Sequence, residues 1–147
     1  GFRGHDGILT AAEAIKLAPD LPLFAGGRSF GGRMTSQAQA DAPLPCVRGL
    51  AFLGFPLHPA GQPGVDRADH LARVEVPMLF VSGSRDALAE RELLEPMVAS
   101  LGERATLHLV AEADHTFRVA ANSGRKPAEA GAEALDTLAE WMLTLVT

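Results

Sequence analysis

An α/β fold, a parallel sheet with helices on both faces, is what the amino-acid sequence predicts. Three observations carry the prediction. Short apolar segments recur at residues 21–25, 47–55, 78–82 and 105–110, and the first is an unalternating run bounded by Pro and Gly, the pattern of a strand buried on both faces. Helix-forming stretches alternate with these runs, as crossover connections between parallel strands require. The chain has 147 residues, 47% of them hydrophobic, which suits one domain with a real core.

The elements follow in order. Thr10 with Glu13 three residues later has the form of a capping box, and residues 11–18 read as a short helix closed by Pro19. The first strand, 21–25, runs into a glycine-rich turn, and 33–40 reads as a helix. The second strand, 47–55, ends at Pro56, and 61–64 is turn-rich. Residues 66–74 form a short helix or turn. The third strand, 78–82, follows Pro77 and leads into Gly83-Ser84-Arg85-Asp86. Residues 90–101 are helical in pattern, with a kink expected at Pro96 and a stop at Gly102. The fourth strand is 105–110. A last helix, 127–146, places Ala134, Leu138, Trp141, Met142 and Leu145 along one stripe, suited to packing on a sheet. Without repeats, low-complexity tracts or linkers, residues 1–147 are expected to form a single domain.

Composition excludes several function classes. A net charge of −5 and a pI near 5.5 leave no basic patch for a phosphate backbone, so no nucleic-acid partner is expected. The single cysteine, Cys46, cannot form an intrachain disulfide and is expected to be a buried or half-buried thiol in a reducing compartment. No apolar run has the length of a membrane span and no signal-peptide pattern is present, so a cytoplasmic protein without a membrane partner is expected. The five histidines show no metal-ligand spacing, and no metal or cofactor is called for.

Gly27-Arg28-Ser29-Phe30-Gly31 is a G-x-S-x-G between a buried strand and a helix, the setting of a nucleophile elbow. A sharp strand-to-helix turn strains the serine backbone, and the flanking glycines let neighbouring chain segments approach without a Cβ clash. Ser29 then stands at the carboxyl end of the sheet beside a helix N-terminus, whose amides favour developing negative charge. Two other readings exist. Gly26 and Gly31 have phosphate-loop spacing, but Gly32-Arg33 replaces the Lys and Ser or Thr which that loop requires. A plain glycine-rich turn is the other.

A serine nucleophile needs a base, and the base an orienting acid, in the chain order Ser, acid, His. Asp86 follows the third strand and His115 the fourth, so all three fall at the sheet's carboxyl edge, where open α/β sheets place their sites. Capping of the next helix by Asp86 and an idle loop position for His115 are the separate alternatives. Asp114 adjoins His115 with a diverging side chain, and Asp69 precedes the third strand, so both suit the acid role less well. His108 lies within a strand and is read as structural. His58 either faces the pocket as a substrate-binding residue or shapes its loop. Arg28 and Arg33 either guide an anionic substrate or form surface ion pairs; Arg28 is kept as a candidate substrate-binding residue, and the surface reading is favoured for Arg33. The Phe30 N–H follows the nucleophile and is a candidate oxyanion donor. About two dozen residues separate the second and third strands, too few for a cap domain, so an open pocket is expected.

Four segments resemble one known family: Leu23-Phe24-Ala25-Gly26-Gly27-Arg28-Ser29-Phe30-Gly31-Gly32-Arg33, Gly54-Phe55-Pro56-Leu57-His58-Pro59, Pro77-Met78-Leu79-Phe80-Val81-Ser82-Gly83-Ser84-Arg85-Asp86 and Ala113-Asp114-His115-Thr116-Phe117. The chain looks like the small α/β-hydrolases related to dienelactone hydrolases, a group that includes a testis-expressed protein and the hydrolase-like domain of an NSL chromatin-complex regulatory subunit. The resemblance implies a serine hydrolase acting on a small-molecule acyl substrate, with Ser29 as nucleophile, Asp86 as acid and His115 as base. Kinship with a chromatin-complex subunit also allows a non-catalytic scaffold. Such hydrolases place several strands before the elbow, yet 28 residues precede Ser29. The chain is therefore expected to lack the fold's N-terminal strands and to self-associate through the exposed edge of residues 21–26.

Overall fold

A computed structural model describes residues 20–146, and the helix expected at 11–18 with its Thr10 cap lies outside them. Four strands, β1 (Leu23–Arg28), β2 (Val47–Leu53), β3 (Met78–Gly83) and β4 (Ala105–Val110), pair in parallel in the order β1-β2-β3-β4. Their connections carry α1 (Ser29–Asp41), a 3₁₀ segment (Asp66–Arg73), α2 (Arg91–Ser100) and a 3₁₀ turn (Gly102–Arg104), and α3 (Glu129–Val146) follows β4. Because all three pairings are parallel, every strand ends on one edge of the sheet. The loops after β1, β2, β3 and β4 gather there, at the edge where parallel sheets bind ligands.

Side chains of adjacent strand residues point to opposite faces, so the central strands feed two cores. On one face Leu50, Phe52, Met78 and Phe80 pack with Phe55, Leu57, Leu71, Leu94 and Val98. Phe52, Phe55 and Phe80 meet with ring centroids 4.9–5.7 Å apart, within the range of favourable aromatic pairs. On the other face Ala51, Leu79, Val81 and Val110 pack under Ala130 and Ala134 of α3, with Leu138 and Trp141 beside them. Burying each large side chain contributes about 1.5–3 kcal/mol, so these faces anchor the strands whose ends carry the site.

Several elements differ from the sequence expectation. β1 begins at Leu23, and Leu21 is 69% exposed. β1 is not buried on both faces: Gly26 and Arg28 are exposed, because β1 is the outermost strand of the described sheet. An unalternating apolar run marks a strand without saying how central it is. β2 stops at Leu53 because Gly54 turns the chain with φ +75°. α1 starts at Ser29 itself rather than at Arg33. α2 continues through Pro96, which leaves the Glu92 carbonyl without its helical donor. Cys46 is exposed in the turn before β2, contrary to the expected buried or half-buried thiol. Among the described residues no helix is long and apolar enough to cross a membrane.

Candidate active site

The end of β1 passes directly into α1. Arg28 is extended (φ −90°, ψ 139°), and Ser29, the first helical residue, takes φ 49°, a left-handed conformation that L residues adopt at a cost. Three glycines make this turn sterically feasible. A Cβ on Gly26 would collide with the Ala51 carbonyl, one on Gly27 would lie 3.0 Å from the Gly32 amide, and one on Gly32 would lie 2.7 Å from the Gly27 carbonyl. The expected role of Gly31 is corrected here: a Cβ there meets nothing within 4 Å. Close approach falls on Gly32 because α1 turns that residue toward β1.

Ser29 Oγ lies 2.8 Å from His115 Nε2, and His115 Nδ1 lies 2.8 Å from Asp86 Oδ2. A carboxylate only accepts, so Nδ1 carries the proton and the Nε2 lone pair faces the serine hydroxyl. The Asp86 side chain is 0% exposed, and its other oxygen accepts the Leu88 N–H at 2.8 Å. The His115 ring retains access to the site, with its side chain 19% exposed. The two loops are joined through main chain: Ser84 N–H donates to the Val110 carbonyl and Arg85 N–H to the Ala113 carbonyl, each at 2.9 Å. Such an arrangement can move a proton from Ser29 to His115 while a fixed negative charge supports the imidazolium.

Asp114 has a different task. Its Oδ1 accepts the Thr116 N–H at 2.9 Å, the Thr116 hydroxyl at 3.1 Å and the Arg118 N–H at 2.9 Å. Burial pushes its carboxyl upward, but the Arg118 and Thr116 hydrogen bonds outweigh that and hold it below the usual carboxylate range. Asp114 thus shapes the turn that presents His115. Gly54 is a site residue that sequence reasoning missed. Besides its positive φ, a Cβ there would lie 3.0 Å from the His115 carbonyl oxygen and 3.4 Å from Cε1 of its ring. The one local signal was a glycine at the end of an apolar strand.

Phe30 is 62% exposed, and its N–H is among the first-turn amides of α1 that lack an intrahelical acceptor. Arg28 is exposed and forms no ion pair among the described residues. His58 does not offer a ring nitrogen to the pocket: it is 2% exposed and both nitrogens engage main chain, Nδ1 with the Pro59 carbonyl at 2.8 Å and Nε2 with the Glu90 N–H at 3.1 Å. Of the two readings of His58, the loop-shaping one agrees with this geometry. His108 Nε2 meets Glu133 Oε2 at 2.6 Å and ties β4 to α3. Burial and then Arg67 lower the Arg33 guanidinium, whose Nε has no hydrogen-bond partner. His70, stacked on Phe55, lies 2.6 Å from Ser36 Oγ; burial and then Arg33 and Arg73 push its imidazole below the ordinary value. Among the described residues no group of three or more metal-binding side chains occurs.

Known proteins share this architecture. The esterase domain of a Rhodothermus marinus protein superposes with a TM-score of 0.64 at 16% identity, covering 92% of this chain and 68% of its own. A predicted CIB-like hydrolase from Thermoplasma acidophilum matches with a TM-score of 0.57 at 17% identity, covering 88% and 55%. TT1662 from Thermus thermophilus matches with a TM-score of 0.56 at 27% identity, covering 89% and 58%. The chain thus spans from just over half to about two-thirds of the length of these proteins. The family model for the α/β-hydrolase domain matches residues 6–143. With that match over a strand-to-helix serine turn on a parallel sheet, the chain belongs to the α/β-hydrolase domain family.

Proposed function

We propose that this chain carries the active site of a serine hydrolase that cleaves an ester, thioester or related acyl bond of a small molecule through an acyl-enzyme. The observation that carries the reading is the unbroken hydrogen-bond series from Ser29 through His115 to Asp86, each link 2.8 Å long. Ser29 Oγ attacks the acyl carbon while His115 Nε2 takes its proton. The tetrahedral oxyanion forms beside the Phe30 N–H, and its collapse expels the alcohol or thiol, which leaves with the proton from His115. Water then attacks the acyl-enzyme with His115 again as base, releasing the acid and restoring Ser29. Asp86 holds the imidazole in one tautomer and supports its positive charge. Exposed Arg28, at the N-cap of α1, guides an anionic part of the substrate.

Membership of the dienelactone-hydrolase-like group with the testis-expressed and NSL-complex proteins belongs to the same proposal, supported by the four segments named above. Cytoplasmic residence does too, supported by the lone cysteine. Because the chain spans part of the length of the structures it resembles, the activity is assigned to the whole protein that contains it. A fluorophosphonate probe tests the reading: Ser29 is expected to label covalently, and Ser29→Ala to abolish the label. A folded protein that does not label, or a Ser29→Ala variant that labels equally, overturns it in favour of a scaffold.

A further inference from the structure

His58 lies inside the core at 2% exposure, and its ring is committed to main chain on both sides. The Pro59 carbonyl, 2.8 Å from Nδ1, only accepts, so the proton sits on Nδ1. Nε2 therefore offers a lone pair, which accepts the Glu90 N–H at 3.1 Å. One protonation state alone makes both bonds. The main-chain N–H of His58 also donates to the Leu88 carbonyl at 3.0 Å. A single residue in the loop after β2 thus grips the 88–90 segment at two points. That same segment holds the acid: the Leu88 N–H donates to Asp86 Oδ1, while Asp86 Oδ2 meets His115.

We infer that His58 is a positioning residue, which fixes the placement of the Asp86 carboxylate against His115 by bracing the segment from Leu88 to Glu90. The inference deepens the serine-hydrolase reading and rests on it. Glu90, the residue that caps α2, makes no side-chain cap bond of its own, and its amide finds its acceptor in His58 instead. Phenylalanine at position 58 would fill the volume yet leave the Glu90 donor without its partner, so the segment would shift to regain one. Glutamine carries both an acceptor and a donor and can restore the tie.

The test uses the whole protein and four forms: wild type, His58→Phe, His58→Gln and Glu90→Pro. Glu90→Pro removes the donor from the other end of the bond, and the native φ of −57° already suits proline. The readouts are the rate of Ser29 labelling by fluorophosphonate, kcat and KM on an activated ester, and the low-field proton resonance of His115 Nδ1–H. Among variants that melt cooperatively, His58→Phe and Glu90→Pro are expected to lose at least about ten-fold in labelling rate and kcat with KM little changed. Their low-field resonance should shift or vanish, while His58→Gln stays near wild type. Wild-type labelling and an unchanged resonance in folded His58→Phe overturn the inference and leave the hydrolase reading standing. Should His58→Phe not fold, the same result in Glu90→Pro overturns it. A wild type that does not label overturns the hydrolase reading, and this inference with it.

Discussion

Replacing Gly54 by alanine perturbs stability and chemistry through one added methyl group. Gly54 has φ +75°, and an L residue in the left-handed region costs about 1–2 kcal/mol. The new Cβ would sit 3.0 Å from the His115 carbonyl oxygen, so the chain must yield by a few tenths of an ångström. Overpacking of this kind typically adds about 1–3 kcal/mol. A total near 3 kcal/mol lowers Tm by about 10 °C for a chain of this length. Rate should suffer separately, because the group pushed is the main chain of His115, whose ring spans two 2.8 Å bonds. Since a misplacement of about 1 Å can cost about 100-fold, a smaller shift should slow acylation by about 10-fold. Calorimetry and fluorophosphonate labelling kinetics at a temperature where both proteins are folded separate the two effects. Gly31→Ala is the control: open space surrounds its Cβ, and the helical position should gain up to about 1 kcal/mol. A Gly54→Ala protein that melts and labels like wild type would refute the argument that this glycine sets the position of His115.

Other perturbations separate neighbouring roles. Asp86→Asn should reduce acylation by about 10³–10⁴-fold through a wrong imidazole tautomer, whereas Asp114→Asn should cost about 1 kcal/mol of stability and little rate; the reverse order in ester hydrolysis would show the acid to be misassigned. Because burial, Arg33 and Arg73 hold His70 below the ordinary imidazole value, the unfolded chain takes up that proton first. His70 therefore favours the fold fully above pH about 6.5, and its contribution is lost as pH falls from there toward the folded value. The denaturant midpoint should fall with acid across that window in wild type and change less in His70→Gln; an equal fall in both would exclude His70 as the source. We also propose that the chain self-associates through the outer edge of β1, which pairs with no strand among the described residues. Gel filtration should show species larger than a monomer, and a monodisperse, cooperatively melting monomer would disprove it.

Much of the site was legible because parallel α/β architecture converts chain order into position. An apolar run followed by a turn places the residues after it at the carboxyl edge, so Ser29, Asp86 and His115 could be assigned to one edge from local pattern alone. The elbow was legible for a related reason: its strain is local, and the glycines that relieve it lie within three residues of the serine. Their division of labour was not, since whether Gly31 or Gly32 faces β1 depends on the residue at which α1 begins.

What the tertiary structure alone decided concerns groups without a side-chain signature. The Ala113 carbonyl that ties one loop to the other and the missing Cβ of Gly54 beside His115 are both backbone features. Any residue supplies an amide or a carbonyl, so composition and spacing cannot mark which of them will meet. His58 shows the same limit from the other side. Its residue type announced a group able to donate and accept, but which partners it found depended on how the loops after β2 and β3 lie together, and those partners proved to be the main chain of Pro59 and Glu90. Local sequence thus determined which elements form and which edge they serve, because propensity and periodicity act over a few residues. The contacts that bring the groups together were left to packing, because those of Asp86 with His115 and of His58 with Glu90 join residues 29 and 32 apart in the chain.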